Sequence, residues 1–200
     1  MKEFWNERFG MEEFVYGIEP NSFLKFELAK INEKGSALLP LEGEGRNACY
    51  LAEKDWQVDA FDFSEAGKEK ALKLCKSKQV SITYDLSKIE DYKFEDGKYD
   101  LIVLIYAHLN PEMRIKLHKN AIKSLKYGGK IILEAFHPQQ LEGQYKSGGP
   151  KNKELLYDLA SIKNDFNELT ESHGEELEID LTEGNFHKGK AYVTRFTGVK

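Results

Sequence analysis

Only two cysteines, Cys49 and Cys75, occur in 200 residues, which is too few for a disulfide framework. Each lies in a helical pattern, and Cys49 is expected to act as a small buried hydrophobe. Neither Cys-x-x-Cys nor His-x-x-x-His occurs, so no metal site is expected. An excess of basic residues is also missing. The formal net charge is -5, which gives no reason to expect nucleic acid as a partner. No apolar run approaches the roughly 20 residues needed to span a bilayer, and Met1-Lys2-Glu3-Phe4 does not open a signal peptide. Prolines number five, and hydrophobic residues make up 40% of the chain, which excludes wholesale disorder. The default expectation is one soluble, cytoplasmic domain over 1–200 in reducing surroundings, monomeric or a homodimer, with no membrane partner.

What the chain does contain is a concentrated signal between Ser36 and Asp62. The apolar run Ala37-Leu38-Leu39-Pro40-Leu41 leads into Gly43-Glu44-Gly45, a short helical pattern follows, and a second apolar run ends at Asp62. Strand, glycine turn, helix, strand and acid form a crevice at the carboxyl ends of parallel strands, where nucleotide-like ligands bind. Gly43 and Gly45 would let backbone approach a ligand with no Cβ in the way. Asp62, nineteen residues beyond Gly43, stands where a carboxylate accepts two ribose hydroxyls. Asp59 and Asp62 fall on opposite faces of that strand and are not a paired acid site.

The flanking chain supports the same plan. Residues 1–21 hold Phe4, Trp5, Phe9, Phe14 and Tyr16, an aromatic arm suited to a lid. Asn21 caps a helix whose apolar positions Phe23, Leu24, Phe26, Leu28 and Ile31 predict one buried stripe. Ser64 caps the next helix, with Ala66, Ala71, Leu72 and Cys75 inward. Further strands are expected over 80–84, 99–106 and 131–136, with a helix from Pro111 to Gly128-Gly129. A glycine- and lysine-bearing loop over 139–152, a helix over 155–166, and strands over 175–182 and 190–197 complete the chain. The fold class is α/β: a single-domain, doubly wound, Rossmann-like seven-stranded sheet, mostly parallel, with a C-terminal antiparallel hairpin strand. Residues 36–136 are expected to form the ligand-binding core, with the loop, helix and hairpin over 139–200 beside it.

Gly-x-Gly with an acid about twenty residues on is shared by NAD and by S-adenosylmethionine sites, and Ala48 in the third glycine position leaves NAD open. The chain leaves little length for a separate substrate region, which weighs against NAD. Trp5-Asn6-Glu7-Arg8-Phe9, Pro40-Leu41-Glu42-Gly43-Glu44-Gly45-Arg46-Asn47-Ala48 and Leu125-Lys126-Tyr127-Gly128-Gly129 together resemble class I S-adenosylmethionine-dependent methyltransferases, nearest to the tellurite-resistance and thiopurine methyltransferase-like group. The resemblance implies S-adenosylmethionine as cofactor and a small-molecule methyl acceptor such as a thiol or chalcogen anion. It implies cofactor contacts from Gly43, Gly45 and Asn47, ribose binding by Asp62, and adenine packing by Phe63. Asp85 and the Leu86 amide would address the adenine edge, Tyr106 would line the pocket near the methyl, and Trp5 and Tyr16 would close over it. The chain departs from many members by carrying Leu39 in place of an acid and Leu41 in place of a glycine. That leaves Glu42 or backbone carbonyls to balance the cofactor's ammonium.

Methyl transfer from a sulfonium needs alignment and exclusion of water more than it needs a strong base. His108 and His137 follow the fourth and fifth strands, and His187 lies in the terminal turn with Lys188. These three histidines are the candidate bases, each weighed against a plain structural role. His118 reads as a surface residue of its helix. A cofactor-binding regulator without catalysis is the remaining alternative.

Overall fold

The computed structural model describes residues 2–200. In chain order the elements are α1 (Lys2–Phe9), α2 (Ser22–Leu28), β1 (Ser36–Pro40), α3 (Arg46–Glu53), β2 (Gln57–Asp62), α4 (Glu65–Ser77), β3 (Thr83–Leu86), β4 (Tyr99–Ile105), α5 (Pro111–Ser124), β5 (Leu125–Phe136), α6 (Leu159–Asp165), β6 (Thr170–Glu183) and β7 (His187–Val199). One seven-stranded sheet runs in the order β3-β2-β1-β4-β5-β7-β6. Neighbours from β3 to β5 pair in parallel, and β7 runs antiparallel to both β5 and β6. The α/β sheet and its reversed strand agree with the expected fold class.

The sequence chemistry explains the frame. β1 and β4 are almost continuously apolar because both faces are covered by helices. Leu38, Phe61, Ile102 and Leu133 lie in the core on one side, and Leu39, Ala60, Val103 and Ile132 on the other. Pro40 closes β1 at the end where the ladder gives way to the loop. The caps fall where expected: Asn21 Oδ1 accepts from Leu24 N–H at 3.0 Å and Ser64 Oγ from Gly67 N–H at 3.2 Å. Pro111 is the first residue of α5.

Several boundaries differ from expectation. α5 stops at Ser124, because Leu125 already pairs with Tyr99, and the chain then loops out before Lys130 pairs with Leu101. β3 starts three residues late, at Thr83, where pairing with Asp59 begins. The helix expected over 155–166 holds only from Leu159, after Asp158 caps it. α2 ends at Leu28, and Phe26 is 63% exposed beneath the Lys30 ammonium, so the stripe is narrower than its apolar spacing implies. Leu72 of α4 also faces solvent. His118 is buried and not a surface residue. Its Nδ1 lies 2.8 Å from Asp165 Oδ2, and its ring stacks on Phe166, since α6 packs over this face of α5.

The larger correction concerns the cysteines. Cys49 and Cys75 are joined by a disulfide across a sequence separation of 26. Gly45 and Ala71 explain it: a Cβ at Gly45 would overlap Ala71, so α3 and α4 approach with no side chain between them. One turn further along each helix stand Cys49 and Cys75, their Cα atoms 5.3 Å apart, within bridging distance. The bridge encloses β2 and therefore Asp62. The argument for reducing surroundings from cysteine usage falls with it. No helix among the described residues is long and apolar enough to cross a membrane. Closing a loop of this length stabilises by about 2–4 kcal/mol, so Cys49→Ala/Cys75→Ala should lower the urea midpoint accordingly, and reductant should reproduce the loss in wild type only.

Candidate functional site

The crevice lies where the sheet order reverses, between the carboxyl ends of β1 and β4. Both edges carry a non-glycine residue in the left-handed region, Leu41 at φ 55° and Tyr106 at φ 53°. Such conformations cost energy and concentrate at functional sites. Leu41 holds the conformation that favours glycine, at the position where the resemblance implies one.

On the β1–β2 side the site is acidic. Asp62 is buried, accepting Ser64 N–H at Oδ1 (2.8 Å) and Gly43 N–H at Oδ2 (3.2 Å). A carboxylate offers about four acceptor sites, so capacity remains for hydroxyl donors. Glu42 Oε1 accepts the Asn47 and Ala48 N–H groups at the start of α3, and the Asn47 side chain adds a further hydrogen bond to the carboxyl. Burial raises the Glu42 carboxyl to about 7 and the Asp62 carboxyl to about 6, against their hydrogen bonds. Neither has a salt-bridge partner among the described residues. Glu44, by contrast, is tied to Lys70 at 2.9 Å and to Val15 N–H.

The glycines serve a different end from the one expected. A Cβ on Gly43 would stand 2.8 Å from Phe9 Cζ, and one on Gly45 would overlap Ala71, so protein and not ligand occupies the space each leaves. Gly43 is also bonded at both polar atoms, its carbonyl accepting Tyr84 O–H at 2.7 Å. α1 delivers Phe9 to this point, and its Asn6 Oδ1 lies 2.6 Å from Ser64 Oγ. Trp5 stacks on Phe9, with ring centroids 5.1 Å apart. Asn47 Oδ1 accepts Asn21 N–H at 2.9 Å and so fixes the start of α2. Phe63 is half-buried, and Asp85 and Leu86 are exposed at the end of β3 beside it.

On the β4–β5 side a buried polar network closes the crevice. Glu134 has no exposed surface and accepts from Asn21 Nδ2 (2.7 Å), Tyr106 O–H (2.8 Å) and Arg195 Nε (2.6 Å). Glu183 meets Arg46 Nη2 at 2.7 Å and Asn21 Nδ2 at 2.9 Å, and lies 3.4 Å from His187 Nδ1. Burial pushes Glu183 up, but His187 and Arg46 outweigh it and hold the carboxyl at about 2. A Cβ on Gly184 would stand 2.5 Å from Gly17 N, so the hairpin turn rests directly on the aromatic arm. Tyr16 lies against His187 with ring centroids 4.4 Å apart and accepts from Arg8.

The three candidate histidines separate by geometry. His108 Nδ1 is 2.6 Å from Leu155 O, and its Nε2 accepts Phe136 N–H, so both nitrogens are engaged. Burial lowers it to about 4 and keeps it neutral. His137 accepts Gln139 N–H at Nδ1, with Nε2 3.4 Å from Glu176. His187 alone stands at the crevice with a carboxylate behind it. Sequence reasoning missed Asn6, Phe9, Asn21, Arg46, Glu134 and Glu183 as site residues. Glu134 carried a signal, being a lone charge inside Ile131-Ile132-Leu133-Glu134-Ala135-Phe136, where a carboxylate must find partners.

With the geometry in view, the chain can be set beside known proteins. Residues 42–129 match a family described as a methyltransferase domain. The matched segment runs from Glu42 past Asp62 and Tyr106, and so takes in both sides of the crevice. A search of curated proteins found no match. Among solved structures, a protein from work titled "Conversion of a Disulfide Bond into a Thioacetal Group during Echinomycin Biosynthesis" is 14% identical, with 100% of this chain and 92% of that one covered and a TM-score of 0.71. TehB from Haemophilus influenzae is 17% identical over 100% of this chain and 66% of its own, TM-score 0.68. Phosphoethanolamine N-methyltransferase 2 from Haemonchus contortus, solved with S-adenosyl-L-methionine, is 16% identical over 98% of this chain and 56% of its own, TM-score 0.68. At these identities the likeness is one of fold.

The raised carboxyls give a test. Folded protein holds protons on Glu42 and Asp62 that the unfolded chain releases, so their contribution is full below about pH 4 and fades as pH rises through about 6 and about 7. Urea titrations should show Glu42→Gln gaining on wild type across that window by on the order of 1–3 kcal/mol. A difference independent of pH would reject the buried, ionisable state of Glu42.

Proposed function

We propose that the protein is an S-adenosylmethionine-dependent methyltransferase acting on a small-molecule acceptor, of the thiol or chalcogen kind. The observation that carries this reading is the pair of desolvated carboxylates, Glu42 and Asp62, with acceptor capacity left and no salt-bridge partner among the described residues, Arg46 acting on Glu42 only from a distance. A cofactor bearing ribose hydroxyls and positive charge supplies what both lack. Asp62 holds the ribose hydroxyls, Phe63 packs on adenine, and Asp85 with the Leu86 amide meets its edge. Glu42 faces the ammonium in place of the acid that Leu39 does not provide. Gly43, Gly45 and Asn47 set the turn beneath, and Trp5 and Tyr16 belong to the arm that covers it.

The cofactor supplies an activated methyl group, and the chain supplies alignment and dryness. Tyr106, held by Glu134, fixes the wall at the end of β4, and water exclusion falls to the aromatic arm of α1 and Tyr16 and to the hairpin turn. The division of labour follows: an arm over 1–21, a cofactor core over 36–136 and an acceptor side over 139–200. NAD is the weaker reading because β5 is followed by the reversed β7 and not by a second mononucleotide half. A cytoplasmic setting belongs to the same proposal. Thiol titration of freshly prepared protein decides it, because a fully formed disulfide would oppose a reducing compartment.

Calorimetry should show S-adenosylhomocysteine binding and NAD failing to bind. Asp62→Ala should weaken the former by about 1–3 kcal/mol in a folded protein, through loss of charge-assisted hydrogen bonds. Homocysteine release across thiol, selenite, tellurite and thiopurine acceptors then identifies the substrate class. Tight product binding with silence across that panel would favour a non-catalytic regulator.

A further inference from the structure

We infer that His187 is the general base of this site and that the acceptor reaches it carrying a proton on the atom to be methylated. The inference rests on the methyltransferase reading above. His187 opens β7 and lies at the crevice edge of the sheet. Its ring sits among Tyr16, Tyr106 and Phe136, with centroid distances of 4.4, 4.6 and 5.3 Å. Nδ1 faces Glu183 Oε2 at 3.4 Å, and Nε2 has no hydrogen bond among the described residues. A Cβ on Gly148 would stand 3.2 Å from the His187 Cδ2 atom, so the glycine loop packs on the same ring edge.

Glu183 is a positioning residue. Fixed by Arg46 and Asn21, it accepts the Nδ1 proton, selects that tautomer and leaves the Nε2 lone pair for the acceptor. The titratable and charged groups acting on the ring are Glu183 from β6, Arg46 from α3, Arg8 from α1, Tyr16 from the arm, and Tyr106 and the neutral His108 beyond β4. Burial and the two arginines disfavour the imidazolium while Glu183 favours it, and the net direction is down, leaving the ring neutral and ready to accept a proton. In the step, the acceptor's proton passes to Nε2 as its lone pair bonds the methyl carbon. The carbon–sulfur bond breaks with its electron pair going to sulfur, and the proton then leaves the imidazolium to solvent. His108 cannot do this, since both its nitrogens are already bonded.

Nitrogen-15 spectra of histidine-labelled wild-type protein test the tautomer without any turnover. The expected result near neutral pH is a protonated Nδ1 and a bare Nε2 for His187; a protonated Nε2 overturns the inference. Kinetics with two aryl thiols supply the second arm, one largely protonated at the assay pH and one nitro-substituted and already ionised. His187→Ala should lose about 100-fold with the protonated thiol, regain part of it with added imidazole, and lose little with the ionised one. At saturating S-adenosylmethionine, which would hold Glu42 and Asp62 ionised, the acid limb of the wild-type pH profile should vanish in the variant. Equal losses with both thiols, or no imidazole rescue, would reduce His187 to a packing residue. Absence of turnover of both thiols by wild type, with S-adenosylhomocysteine still binding, would reject the thiol reading instead, and the spectrum would still decide the tautomer.

Discussion

The Glu134 carboxylate has no solvent contact, and its three donors come from three distant parts of the chain. A buried charge left unpaired costs several kcal/mol, so Asn21, Tyr106 and Arg195 are held to their places by the cost of leaving it alone. That constraint sets the unusual backbone of Tyr106, brings the start of α2 over the sheet, and keeps β7 in register with β5. Asn21 extends the network to Glu183, and Glu183 extends it to Arg46 beside the glycine turn. The wall at the ends of β4 and β5 is therefore one connected set of ion pairs and hydrogen bonds, not a collection of loops.

The two sides of the crevice differ in charge balance. Glu134 and Glu183 each have an arginine at hydrogen-bond distance. Glu42 and Asp62 have amide N–H donors but no ion-pair partner among the described residues, and burial pushes both toward neutrality. A cationic ligand restores the balance on one side while the other is already satisfied. Under the proposed function this asymmetry would orient the cofactor, its charge near β1 and β2 and the acceptor near β4, β5 and the hairpin turn.

The strand and helix plan was legible because its signals are local. Apolar runs, caps at Asn21 and Ser64, Pro111 and the terminal hairpin each need only neighbouring residues to be read. The disulfide was not legible, since it depends on Gly45 and Ala71 allowing two helices to touch, a fact of packing and not of spacing. His118 was misjudged for the same reason: nothing near it in sequence announces Asp165. Gly43 and Gly45 were read as room for a ligand, and the structure fills that room with Phe9 and Ala71. Phe9 and Asn6 were noticed only as part of an aromatic arm, because their targets, Gly43 and Ser64, lie far along the chain.

Sequence distance also governs when such a site can exist. Asn21 meets Glu134 across 113 residues and Glu183 across 162, while Arg46 meets Glu183 across 137. Contacts this remote incur the loop-closure entropy of nearly the whole chain before they return any energy. On the ribosome, the β1–β2 half can form while the hairpin is still unsynthesised. The acid-lined hollow therefore precedes its opposite wall, and competence waits for the β6–β7 hairpin to emerge.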